Sequence, residues 1–173
     1  MLRALPFAAI VLALGGCATM TGPADLGRAN LIQSNGEPAG TARLISVDGK
    51  VSLSLALAGL PAGTHGFHLH TTGTCTAPDF KSAGGHLNPH GKQHGTENPA
   101  GSHLGDLPNL VVGSDGGVTL SIPLTGTRSE LMSALFDADG TAIVIHEKAD
   151  DYMTDPAGNA GNRIACGELL RSK

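Results

Sequence analysis

From Val51 to Leu57 large apolar residues take every second place, with Ser52, Ser54 and Ala56 between them, which is the period of a strand with one face buried. An apolar-rich run from Ala42 to Val47 precedes it across Asp48-Gly49, a dipeptide suited to a tight turn, so the two predict an antiparallel hairpin. Further strands are predicted at Gly66 to His70, Ala142 to His146 and Arg163 to Leu169. A second strand pair is predicted from Leu110 to Val112 and from Val118 to Leu124, around Ser114-Asp115-Gly116-Gly117. Strand signals in this number predict an all-β antiparallel sandwich or barrel.

Between Thr71 and Asn109 there is almost no strand pattern, and a stretch this long inside a compact domain is usually functional or disordered. His86, His90, His94 and His103 lie within it, and His68 and His70 on its shoulder. Metal ligation is a sufficient reason for such a segment to be held in place. The chain of 173 residues suits one domain, and with 3% aromatics and 25 glycines its core must come from Val, Ile, Leu and Ala.

The first residues read as a targeting sequence: Arg3 supplies a basic start, an apolar run follows from Ala4 to Leu14, and Gly15-Gly16-Cys17 closes it. The run is too short for an ordinary membrane-spanning helix. Leu14-Gly15-Gly16-Cys17 resembles the lipobox of bacterial lipoproteins, which implies cleavage before Cys17 and lipidation of that cysteine; an ordinary secretory peptide containing a cysteine is the alternative. The expected organisation is a signal peptide over 1–16, a lipidated N-terminus and tether over 17–28, and the domain over 29–173. The tether reading rests on the small and polar residues from Ala18 to about Arg28.

Three cysteines cannot all pair. Assigning Cys17 to an anchor leaves Cys75 and Cys166 as one possible disulfide, permitted by export, or as two buried free thiols. Without Arg3 the chain carries 10 basic and 15 acidic residues, a formal charge of −5, which argues against a nucleic-acid partner.

His68-Leu69-His70 in a strand directs both imidazoles to one face and Leu69 to the other, a two-point metal clamp that alone is weak evidence. His86, followed at +8 by His94, at +17 by His103 and at +20 by Asp106, together with His146 at the end of a distant apolar strand, makes chance a poor explanation. Imidazole suits copper and zinc alike, whereas a carboxylate suits zinc better than copper(I).

Five segments resemble motifs of the copper/zinc superoxide dismutase family: Gly66 to His70, Ser82 to Pro89, His103 to Leu107, Val144 to Asp150, and Gly158 to Gly167. The likeness runs in order from about Ala39 to the C-terminus. It implies a Greek-key β-barrel with a long metal-binding loop. It further implies copper held by His68, His70, His86 and His146, and zinc held by His86, His94, His103 and Asp106, with His86 bridging the two. An imidazole stripped of both ring protons offers two nitrogens in opposed directions, which is what a bridge requires.

The implied activity is conversion of superoxide to dioxygen and hydrogen peroxide, with the bridge opening on copper reduction and His86 taking and later delivering a proton. Arg163 matches the family's guanidinium beside copper, which orients the anion; Asp150 matches a carboxylate linking copper and zinc histidines. His65 matches a histidine that braces backbone, and His90 has no counterpart among the ligands. Because the net charge repels superoxide, encounter must depend on local positive potential around Arg163, with Lys81, Lys92 and Lys148 as further candidates.

The stretch from His146 to Arg163 is short, and Cys75 comes only five residues after His70; both depart from the eukaryotic pattern towards the bacterial branch. The expected setting is a bacterial cell envelope, facing the periplasm and tethered to a membrane through Cys17. The pattern allows a homodimer without requiring one. Two other readings compete: a copper and zinc storage or delivery module without turnover, and a structural barrel holding only zinc. Arg163 favours the enzyme, since a store needs no anion guide.

Overall fold

A computed structural model describes residues 22–173; the expected signal peptide, the Cys17 anchor and the first residues of the tether, up to 21, lie outside them. Eight strands form one antiparallel sheet: β1 (Ala24–Gln33), β2 (Pro38–Val47), β3 (Lys50–Leu57), β4 (Gly63–His70), β5 (Asp106–Val112), β6 (Val118–Pro123), β7 (Thr141–His146) and β8 (Arg163–Arg171). The sheet order is β5-β4-β7-β8-β1-β2-β3-β6, so the chain leaves β3 for β4 and β6 for β7 by crossing over intervening strands. The end strands β5 and β6 approach each other without a ladder, which leaves a nearly closed Greek-key barrel, as expected. Among the described residues no helix is long and apolar enough to cross a membrane.

The β2–β3 hairpin forms with Val47 opposite Lys50, and Asp48 and Gly49 both take positive φ (49° and 79°), the geometry a two-residue turn between twisted strands requires. Two expectations need correction. The strands around Ser114–Gly117 do not pair with each other, because β5 ladders onto β4 and β6 onto β3; the loop between them bridges the open seam. The domain begins at Ala24 rather than Ala29: residues 24–28, expected as tether, pair with β2 and β8. Asp25, Gly27 and Arg28 interrupt the apolar alternation that would have marked them as strand, and backbone pairing overrides that interruption.

The one α-helix among the described residues goes beyond the strands that the sequence pattern predicts. Thr127-Arg128-Ser129-Glu130 forms a capping box at the start of α1 (Arg128–Leu135): Glu130 N donates to Thr127 Oγ1 (3.3 Å), and Thr127 N donates to Glu130 Oε2 (2.9 Å). Leu131 and Leu135 carry the helix onto the core.

The way β4 and β7 are buried positions the site. Their inward residues, Phe67 and Leu69 on β4 and Ile143 and Ile145 on β7, join the main core with Leu53, Leu55 and Leu110. Their outward faces are buried as well. Phe80 and Ala83, from the segment after β4, pack on Ala142 and Val144 of β7 and on Cys166 of β8, forming a second small cluster outside the barrel. In the ladder His68 stands opposite Val144, and His70 opposite Ala142, so both histidines belong to this outer row. The segment after β4 is therefore a cover: it holds a 3-10 turn at Lys81–Ala83, and His86 comes back to pair with His70 in an isolated bridge.

Candidate metal centre

Six histidines and two aspartates converge beneath this cover, and the hydrogen bonds fix which nitrogen of each ring is free. His70 Nδ1 donates to Gly84 O (3.0 Å), His146 Nδ1 to Gly161 O (3.2 Å) and His103 Nε2 to Lys92 O (3.1 Å). His68 Nε2 donates to Asp150 Oδ2 (2.6 Å), and His94 Nε2 to Asp150 Oδ1 (3.0 Å). A carbonyl or an ionised carboxylate only accepts, so each ring's proton sits on that nitrogen and the other nitrogen keeps a lone pair. His86 is the exception: its only side-chain acceptor is the Asp106 carboxylate (2.9 Å from Nδ1), which itself belongs to the second group of donors, and its Nε2 has no partner.

The lone pairs gather in two groups. His68 Nδ1, His70 Nε2, His86 Nε2 and His146 Nε2 are buried without any hydrogen-bond partner. The donor atoms of these four residues lie within 4.8 Å of one another. Four buried, unpartnered acceptors facing one point are costly unless a cation joins them.

In the second group the Nδ1 atoms of His86, His94 and His103 stand 2.9, 3.0 and 3.2 Å from Asp106 Oδ1, with His103 Nδ1 3.5 Å from His86 Nδ1. For His94 and His103 these are not hydrogen bonds, because their protons are engaged elsewhere. Lone pairs aimed at an anionic oxygen repel. The spacings instead resemble edges of a tetrahedron, about 3.3 Å long when ligands lie near 2.0–2.1 Å from zinc. Asp106 Oδ2 stays outside this group, accepting from Gly95 N (2.9 Å) and His103 N (3.0 Å). Both sets therefore fit a metal, and His86 alone contributes to both, one nitrogen to each. The trio His68, His94 and Asp150 also clusters closely, but there the rings use their protonated nitrogens, so it is a hydrogen-bonded link between the two sets.

Burial pushes His70 down to about 2, His146 to about 3 and His86 to about 4, with neighbouring histidines adding to the effect, so all three are neutral and able to ligate well below neutral pH. For Asp106 burial acts upwards, but hydrogen bonds from His86 and backbone N–H groups outweigh it and hold the carboxyl below its usual range. Asp150 behaves likewise, through His68 and His94.

A cavity of about 400 Å³ leads to the first set, lined by His70, His86, His146, Lys92, Asp155 and Arg163 among others. Arg163 Nη1 and Nη2 donate to Phe80 O and Gly84 O (2.6 Å each), so the carbonyls of the cover fix the guanidinium at the cavity wall. Cys75 and Cys166 form a disulfide, Cα to Cα 5.7 Å, tying the cover to β8 three residues beyond Arg163.

Of the candidate lysines, Lys92 lines the cavity, Lys81 is paired with Asp79 (3.2 Å), and Lys148 lines no part of it. His65 spans the carbonyls of His146 (2.8 Å) and Pro61 (2.9 Å), bracing backbone as the resemblance implied. His90 belongs to neither set; it lines a cavity of about 800 Å³ beside α1 that His103 and Asp106 of the second set also border. Sequence reasoning missed Asp155, whose carboxylate accepts from His94 N (2.6 Å), along with Asn109, Tyr152 and Gly158. Gly158 has φ +61°, and a Cβ there would overlap Asp150 Oδ1; only its place in the Gly158 to Gly167 motif hinted at this.

The family model described as copper/zinc superoxide dismutase matches residues 38–169. A superoxide dismutase [Cu-Zn] 2 of Aquifex aeolicus is 46% identical over 144 residues, covering 82% of this chain and 84% of that protein. A superoxide dismutase [Cu-Zn] of Caulobacter vibrioides is 42% identical over 139 residues, covering 78% and 80%. Among solved structures, a SOD-like protein from Bacillus subtilis superposes with a TM-score of 0.77 at 42% identity, covering 84% of this chain and 99% of that one. With the ligand geometry, the outer-face cover and these likenesses in agreement, the chain belongs to the copper/zinc superoxide dismutase family.

Proposed function

We propose that copper occupies the set of His68 Nδ1, His70 Nε2, His86 Nε2 and His146 Nε2, that zinc occupies the set of His86, His94, His103 and Asp106, and that the enzyme works in a bacterial cell envelope. The reaction is the dismutation of superoxide to dioxygen and hydrogen peroxide. The observation that carries the assignment is the four unpartnered imidazole nitrogens converging at the floor of the Arg163 cavity. An all-nitrogen set suits a copper ion that changes oxidation state, whereas the set with a carboxylate suits zinc, which does not. Copper supplies the one-electron exchange with superoxide.

The chain's own groups do the rest. Arg163 keeps a fixed charge whose other N–H groups can orient a small anion beside the His70, His86 and His146 nitrogens. Lys92, exposed at the same cavity and without an ion-pair partner among the described residues, adds a second positive charge against the molecule's overall negative one. His86 Nε2 is the place to hold and return a proton: it faces the cavity, and no protein acceptor competes for it.

The test is superoxide consumption by the copper- and zinc-loaded protein and by His146→Ala. The expected result is activity in the former and loss to background in the latter; an inactive intact protein, or an unaffected variant, overturns the reading.

The Cys75–Cys166 disulfide supports an extracytoplasmic setting, because such bonds persist in oxidising compartments. With Leu14-Gly15-Gly16-Cys17 it favours a lipid-anchored enzyme that meets superoxide outside the cytoplasm. Cys17→Ser is expected to abolish incorporation of labelled fatty acid, and unchanged labelling defeats the anchor.

A further inference from the structure

Asp150 spends both carboxylate oxygens on histidines, one from each metal set, so the direction in which it points decides two tautomers at once. Its orientation is held from an unexpected place. Asp150 N donates to Asn109 Oδ1 (2.8 Å), and Asn109 Nδ2 donates to Asp150 O (2.9 Å), a reciprocal clamp between the loop after β7 and strand β5. Asn109's own N–H does not join the β4 ladder, because the register shifts between His65 and Phe67 on the facing strand. It donates instead to the Tyr152 hydroxyl (2.8 Å). Tyr152 N closes the circuit by donating to Asp150 Oδ1 (2.7 Å), which Tyr152 achieves with a left-handed backbone at φ 61°. Tyr152 O accepts from Glu97 N (3.0 Å), in the segment that carries His94.

Strand β5 thus bears the carboxylate of the second metal set, Asp106, at its start and the Asp150 clamp, Asn109, three residues on. We infer that Asn109 and Tyr152 are positioning residues that hold the Asp150 carboxylate as a rigid two-pronged acceptor, fixing the tautomers of His68 and His94 and thereby coupling the geometry of the copper set to the loading of the zinc set. The coupling rests on the metal assignments proposed above; the tautomer role does not. The physical cause is satisfaction of hydrogen bonds. With the Tyr152 hydroxyl gone, the Asn109 N–H loses its acceptor, the clamp loosens, and the carboxylate rotates away from one histidine or the other.

The experiment compares wild type with Tyr152→Phe and Asn109→Ala, and with Asp151→Ala as a structural control. Asp151 lies in the same turn, but its carboxylate serves Met153, Thr154 and Asn159 at the surface. Imidazole ¹⁵N spectra of the metal-free full chain report the tautomers directly. In Tyr152→Phe the His68 and His94 signals are expected to move toward a tautomer mixture, while those of His70 and His146 stay in place. Zinc affinity, by chelator competition, is expected to fall about tenfold. The copper(II) electron paramagnetic resonance signature of the zinc-loaded variant is expected to differ from that of wild type.

Asp151→Ala is expected to lower thermal stability while leaving tautomers and zinc affinity unchanged. If Tyr152→Phe keeps wild-type tautomers and zinc affinity within twofold, the inference falls; Tyr152→Phe alone decides the matter should Asn109→Ala fail to fold. A wild-type chain that binds no zinc or copper overturns the metal assignments and the coupling, and the ¹⁵N spectra still judge the clamp.

Discussion

Strands β3 and β7 have similar apolar content but opposite burial patterns. Along β3, buried Val51, Leu53, Leu55 and Leu57 alternate with more exposed neighbours, because one face meets the core and the other meets water. Along β7 every residue from Thr141 to His146 is buried. Ile143 and Ile145 enter the core, while Ala142 and Val144 lie under Phe80 and Ala83, and His146 joins the metal set. The β2–β3 region therefore holds the fold together, and the outer face of β4 and β7 is where side chains are free to do chemistry once a loop covers them.

That division makes predictions that can break it. The largest effect concerns pH in the metal-free protein. Burial holds the folded-state values of His70, His86 and His146 far below the ordinary value of about 6.5, so as pH falls below that value the unfolded chain binds protons that the folded chain does not. Stability is then fully present above pH about 6.5 and is lost as pH falls towards about 4, 3 and 2, on the order of 1.4 kcal/mol per pH unit for each histidine. Thermal melts from pH 7.5 to 4.5 should show a falling midpoint without metal and a much flatter one with copper and zinc bound; a flat midpoint without metal contradicts the buried neutral histidines.

Next in size is Leu53→Ala, which removes a fully buried side chain from the β3 side of the core. It should cost about 2–5 kcal/mol in denaturant unfolding while copper and zinc stoichiometry stay at wild-type values. Loss of metal in this variant would show that scaffold and site are not separable.

The smallest effect is kinetic. At low ionic strength Lys92→Gln should lower kcat/KM about threefold and weaken its salt dependence, whereas Lys81→Gln, already paired with Asp79, should change neither. Equal effects of the two substitutions would mean that net charge alone, rather than a cation at the cavity, governs approach.

Much of this is legible before any fold is known. The hairpin can be read because Val51 to Leu57 alternates and Asp48-Gly49 suits its turn, and the ligands because histidines are few and their order matches a family pattern. The start of β1 cannot be read, because Asp25, Gly27 and Arg28 are strand by backbone pairing alone. The capping box at Thr127 and Glu130 is visible in sequence, yet the weakly apolar helix behind it gives no strong period. Asn109 and Tyr152 carry no signal: each is an ordinary residue whose importance arises from a partner 41 or 43 positions away.

Residue chemistry and near-neighbour order were enough to say which side chains could bind metal and that alternating strands would pair, since donor type and strand period are properties of residues and of those beside them. The folded chain was needed to settle which nitrogen of each ring faces inward, that His86 stands between the two sets, and that Asp150 joins them. Those depend on carbonyls and carboxylates brought from distant segments to accept a particular proton, and a proton's position on an imidazole is set by what the other nitrogen touches.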